Sequence, residues 1–120
     1  MKPELNEGEY IFTTLHSVSN IPVEDIICQF REKEGITLII ERQKADALGL
    51  EYTFVSSWIT LNVHSSLEAT GFTAVFSSEL AKHQIGCNVI AGYFHDHIFV
   101  GKKDGEKAVN LLKKLAESYI

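Results

Sequence analysis

Imidazole and carboxylate stand together at His95-Asp96-His97, and another imidazole, His64, precedes two hydroxyls at Ser65-Ser66. Histidine and aspartate are ligands for zinc and other divalent ions, so the triplet invites a metal reading. Adjacent strand residues point to opposite faces, and residues two apart share a face. A tight turn at His95-Asp96 separates His95 from His97, and a third ligand, His64 or His16, has to come from another strand. The spacing argues against a resident metal, and no cofactor is expected. Cys28 stands in an apolar context and Cys87 enters a strand-like run. Neither has a polarising neighbour, so both read as reduced buried thiols. The sequence carries no GxGxxG after a strand, no P-loop, no nucleophile elbow and no CxxC. A non-catalytic protein is predicted.

These residues need elements to position them. Glu9–His16 alternates Tyr10, Phe12 and Thr14 against Ile11, Thr13 and Leu15, which predicts a strand. Ser17–Pro22 is turn material. Ile26–Arg31 and Ile36–Glu41 form a hairpin about Gly35, and Arg42–Leu48 a short helix closed by Gly49. In Ser57–His64, Ile59, Leu61 and Val63 share one face, and Trp58, Thr60, Asn62 and His64 the other. Ser65 or Ser66 caps a helix running to about Gln84, with Phe72, Phe76, Leu80 and His83 at helical spacing. A strand over Cys87–Phe94 turns at His95-Asp96 into a strand over His97–Val100. Asp104 caps a last helix whose apolar stripe is Ala108, Leu111, Leu112, Leu115 and Tyr119. Within this frame Gly71 serves close helix packing or the approach of a ligand. Asp96 serves the turn or a ligand. His64 is a surface imidazole if its face is solvated, and a contact residue if that face is a groove.

The second half therefore reads β-α-β-β-α, the ferredoxin-like order without its last strand. The first half reads β-β-β-α-β, and only ten residues separate Leu15 from Ile26, too few for a packed first helix. The expected architecture is α+β: two fused, incomplete ferredoxin-like halves, 1–54 and 55–120, in one body of 120 residues. The strand Glu9–His16 is expected to fill the vacancy in the second half's sheet. With 11 basic against 16 acidic residues the chain has a formal charge of −5 and no basic run beyond Lys102-Lys103 and Lys113-Lys114. Nucleic acid is excluded as a partner, because phosphate contact needs a basic face. No apolar run approaches the roughly 20 residues of a membrane span, and residues 1–7 hold no signal-like apolar core, so a cytoplasmic chain without membrane contact is predicted.

Residues 57–115 resemble the ACT domain, in the variety found in small bacterial ACT-like proteins and cytosolic arginine sensors. The features that carry this are the strand 58–63 (WITLNV), then Gly71 and 72–77 (FTAVFS), then Leu80, Ala81 and Ile85, and finally 93–100 (YFHDHIFV). Residues 30–38 (FREKEGITL) resemble the N-terminal partner segment of the same family. The resemblance implies an ACT-type βαββαβ fold and regulation by a small effector, typically an amino acid, held between ACT units near the loop after the first strand. That loop offers backbone N–H groups at a helix N-terminus, which attract a carboxylate. The implied site comprises His64, Ser65, Ser66, Glu68, Gly71 and Asp96, with Asp96 or Glu68 meeting the effector's amino group. Incomplete sheets leave unpaired backbone groups that favour closure, so association as a homodimer through sheet edges or helix faces is also expected. Two alternatives stand beside regulation by an effector: a ligand-free dimerisation module, and a small metal-dependent enzyme using His64, His95 and His97.

Overall fold

Period-two alternation of apolar and polar residues carries through much of the chain, and the backbone follows it into strands. The computed structural model describes residues 2–62 and 72–118. In order, the elements are β1 (Lys2–Leu5), β2 (Tyr10–Leu15), β3 (Ile26–Arg31), β4 (Ile36–Glu41), α1 (Arg42–Ala47), β5 (Val55–Asn62), α2 (Phe72–Lys82), β6 (Asn88–Ala91), β7 (Asp96–Gly101) and α3 (Gly105–Glu117). They form two units, one made of residues 1–7 and 56–120, the other of residues 8–55.

The first unit holds an antiparallel sheet in the order β1-β5-β7-β6. Counted from β5, this is the ferredoxin-like arrangement, with β1 in the place of the fourth strand. The edge beside Ile59–Asn62 is taken by Lys2–Leu5, in the register Leu5↔Ile59 to Lys2↔Asn62. Pro3 is buried in this strand, which is an edge, where a missing ladder donor is tolerated. Ile59, Leu61, Ile98 and Val100 face α2 and α3 and are buried with Phe76, Leu80, Ala108 and Leu112. Leu111 and Leu115 of the expected α3 stripe pack partly buried at its margin, and Tyr119 lies outside the described residues. Asp104 precedes α3 without making the expected side-chain cap, and a single 3-10 turn over Lys102–Asp104 leads into the helix instead.

Helix α2 ends with Gln84 in the left-handed region, at φ 61°. The Ile85 N–H donates to the Leu80 carbonyl and the Gln84 N–H to the Ala81 carbonyl, which is the hydrogen-bonding of a Schellman stop. Glycine is the usual residue there because it has no Cβ to crowd the carbonyl. Gln84→Gly is expected to stabilise the first unit by about 0.5–1 kcal/mol. A rise in the urea midpoint at unchanged slope is the expected signal, and a fall would contradict the account.

In the second unit β4 lies between β2 and β3, antiparallel to both. A 3-10 turn over Val23–Asp25 stands where a complete ferredoxin-like unit has its first helix, as the short spacing predicts. Helix α1 buries Ala45 against Ile11, Leu38 and Ile40. It stops as predicted, with Gly49 at φ 70° and the Leu50 N–H on the Ala45 carbonyl.

Candidate functional site

The hairpin between β6 and β7 turns earlier than the sequence suggests. Its turn is Gly92–His95, closed by the Gly92 N–H on the His95 carbonyl at 2.9 Å. Tyr93 and Phe94, strand-forming residues by type, sit at the tip and are 83% and 74% exposed. Asp96 is thus the first residue of β7 and not a turn residue, opposite Leu61 on one side and Ala91 on the other. It shares the pleat of Ile98 and Val100, so it stands half-buried on the helix side at the end of the sheet. No ion pair among the described residues involves its carboxylate. The remaining predicted site residues, His64, Ser65, Ser66, Glu68 and Gly71, lie outside the described residues.

His97 follows on the other face and belongs to a polar cluster the sequence did not single out. The Trp58 Nε1–H donates to His97 Nδ1 at 3.0 Å, and Thr60 Oγ1 lies 3.1 Å from the same nitrogen. Asn6 Nδ2 donates to Thr60 Oγ1 at 2.9 Å and to the Trp58 carbonyl at 3.2 Å. Register explains the meeting: Thr60 opposes His97 and Trp58 opposes Phe99. Phe99 stacks on Trp58 with ring centroids 6.0 Å apart. Since indole N–H can only donate, Nδ1 must accept, which fixes a neutral His97 with its proton on Nε2. The alternation of Trp58, Thr60 and Asn62 signals this face in the sequence; the partnership with His97 needs the register.

Burial holds the His97 pKa below the ordinary histidine value, His95 lowers it further, and Asp96 opposes both. The folded protein then binds fewer protons than the unfolded chain between the lowered value and about 6.5, so stability falls as pH drops through that window and is complete above it. A histidine NMR titration is expected to place His97 below 6.5, and a midpoint at or above that value would contradict the hydrogen-bond assignment. His95 and His97 are perpendicular neighbours with ring centroids 6.4 Å apart. Among the described residues, no group of three His, Cys, Asp or Glu could hold a metal ion.

Cys28 and Cys87 are unpaired and half-buried, short of the full burial expected. Desolvation raises both thiols, Cys87 to about 11, so at neutral pH they are protonated and poor nucleophiles.

The second unit contains a cleft of about 560 Å³ between residues 12–15 of β2 and the segment 49–53. The Thr13 hydroxyl donates to the Glu51 carbonyl at 2.7 Å and ties the two walls together. Tyr52 is fixed from outside: its hydroxyl donates to Asp46 Oδ1 at 2.6 Å and accepts from Arg42 Nε at 3.0 Å. No local pattern marks this cleft, because it depends on how far the segment after Gly49 stands from β2.

The domain model of the ACT family matches residues 1–57, and a second ACT-domain model matches residues 53–114. The chain belongs to the ACT-domain family. Two ACT repeats thus tile it, and its fold is that of tandem ferredoxin-like ACT halves. A crystal structure of a protein of unknown function from Vibrio cholerae, described as a possible transport protein, is similar at 46% identity and a TM-score of 0.86, covering 96% of this chain and 89% of that one. A protein from Agrobacterium tumefaciens shares the fold of this ACT protein at 20% identity and a TM-score of 0.73, covering 94% and 87% of the two chains. The aspartokinase alpha and beta subunits share it at 10% identity and a TM-score of 0.65, covering 95% and 96%. No curated protein matches. ACT domains are commonly ligand-binding regulatory modules. No helix among the described residues is long and apolar enough to cross a membrane.

Proposed function

We propose that this ACT protein is a non-catalytic regulatory module that binds an amino acid between ACT units and couples the binding to homodimerisation. The observation that carries the reading is the tiling of the chain by two ACT matches. The Asp96 carboxylate adds to it, half-buried at the end of β7 and outside every ion pair among the described residues. A carboxylate in that setting suits an α-ammonium group, and the backbone amides expected after β5 suit the α-carboxylate. His64, Ser65, Ser66, Glu68 and Gly71 complete the proposed site. Coupling requires the effector to favour one association state over another. The cytoplasm is the proposed setting, supported by two unpaired thiols.

Calorimetry against the twenty amino acids is expected to find one or a few that bind. Asp96→Asn is expected to weaken that binding at least about tenfold, the scale of a charge-assisted hydrogen bond. Light scattering with and without the bound amino acid then reads the change in association. Twenty blank titrations would remove the reading. One observation favours a ligand-free dimerisation module instead: Trp58 and His97 satisfy each other on the face of the sheet opposite Ile59 and Ile98. That alternative predicts a dimer whose dissociation constant ignores every amino acid.

A further inference from the structure

We propose that the cleft beside β2 is a separate binding site, which takes an organic ammonium ion carrying a small apolar body. It lies within the unit of residues 8–55 and shares no residue with the site proposed above. Its origin is structural. Residues 49–53 line the cleft opposite residues 12–15 of β2, and at Thr13 the link between the two walls is a side-chain hydroxyl on the Glu51 carbonyl. A side chain spans more than a ladder hydrogen bond does, so the walls stand apart and leave about 560 Å³ open. That is within the range of small-molecule sites.

The lining sets the ligand's chemistry. Phe12, Leu15, Leu50 and Tyr52 supply apolar wall. Glu51 is the one charged residue among those lining the cleft. Its side chain is exposed, and no ion pair among the described residues engages it. Arg42, which is held to the Tyr52 hydroxyl, is matched by Glu9 at 2.9 Å. An ammonium group has three donors and finds in Glu51 a charged acceptor among the lining residues. A carboxylate would find no cation there. The walls are also preformed, since Tyr52 is pinned by Asp46 and Arg42 and Glu51 by Thr13. Ordering cost on binding is correspondingly small.

The test is an amide NMR titration of the full chain with 2-phenylethylamine, 2-phenylethanol and 3-phenylpropionate, three bodies of one shape with a cationic, neutral or anionic head. The amine is expected to saturate with a dissociation constant of about 1 mM, as suits so few atoms, and the alcohol to bind at least about fivefold more weakly. Shifts are expected over residues 12–15 and 49–53. Glu51→Gln, at an exposed side chain whose carbonyl and not its carboxylate holds the wall, is expected to weaken the amine about fivefold and leave the alcohol unchanged. Equal affinity for amine and alcohol, an unaltered constant in Glu51→Gln, shifts elsewhere, or no saturation by about 20 mM would each overturn the proposal.

Discussion

Phe76→Ala is expected to destabilise the first unit by about 3–5 kcal/mol, the range for removing a buried aromatic ring. Phe76 is fully buried on α2, in one cluster with Ile59 and Leu61 of β5, Ile98 of β7 and Leu112 of α3. The ring thus joins both helices to the two central strands, and the space it leaves is walled by strands that cannot move inward without breaking their ladders. Relaxation is therefore limited, which places the cost toward the upper end. Phe76→Leu keeps most of the volume and is expected to cost under about 1.5 kcal/mol. Urea unfolding followed by Trp58 fluorescence reads both variants in the right unit, because Trp58 lies on β5. An alanine variant within about 1 kcal/mol of the parent would mean that the core refills and that this packing account is mistaken.

Gly105→Ala is the second large effect, and its sign is contested by two terms. Alanine is a better helix former than glycine by up to about 1 kcal/mol, which favours the substitution at a helical position. Gly105 has ordinary helical angles, φ −56° and ψ −54°, so conformational freedom does not explain the glycine. Space does. A Cβ there would stand 2.7 Å from Ser57 Oγ and 2.9 Å from Ser57 Cβ, on a buried residue of β5. One of the two elements must shift, at about 1–3 kcal/mol for an overpacked contact, and crowding outweighs propensity. Net destabilisation of about 1–2 kcal/mol is expected. Ser57→Gly in the same chain removes both close atoms and is expected to recover most of the loss relative to Ser57→Gly alone. A double-mutant cycle with no coupling would show that α3 does not owe its seat to this contact.

The elements that could be read from the sequence are those with strong periodicity. Ile59 and Leu61 against Trp58 and Thr60 gave β5 its two faces, and both apolar residues are buried. The spacing of Ala108 and Leu112 likewise named the inner side of α3. What the sequence hid is set by contacts distant along the chain. Lys2-Pro3-Glu4-Leu5 has no strand-forming pattern, and it is a strand because β5 offers an open ladder. Asp96 looked like a turn residue from its own propensity, yet the turn is built by Gly92–His95 and pushes two aromatics to the tip. The cluster of Trp58, Thr60, His97 and Asn6 draws on three strand regions, so no single window contains it. Of the six predicted site residues only Asp96 falls among the described ones, and its place at the end of a central strand is compatible with the role proposed for it.

The placement of β1 has a consequence for how the protein is made. Leu5 and Ile59 are partners, as are Lys2 and Asn62, so the strand is synthesised some 54 to 60 residues before its partner (59 − 5 and 62 − 2). At the usual elongation rate of about 5–20 residues per second, it waits roughly 3–12 s on the ribosome with its pairing edge unused. The whole of residues 8–55 emerges in that interval as one contiguous stretch. The nascent chain can therefore assemble residues 8–55 before β1 meets its partner.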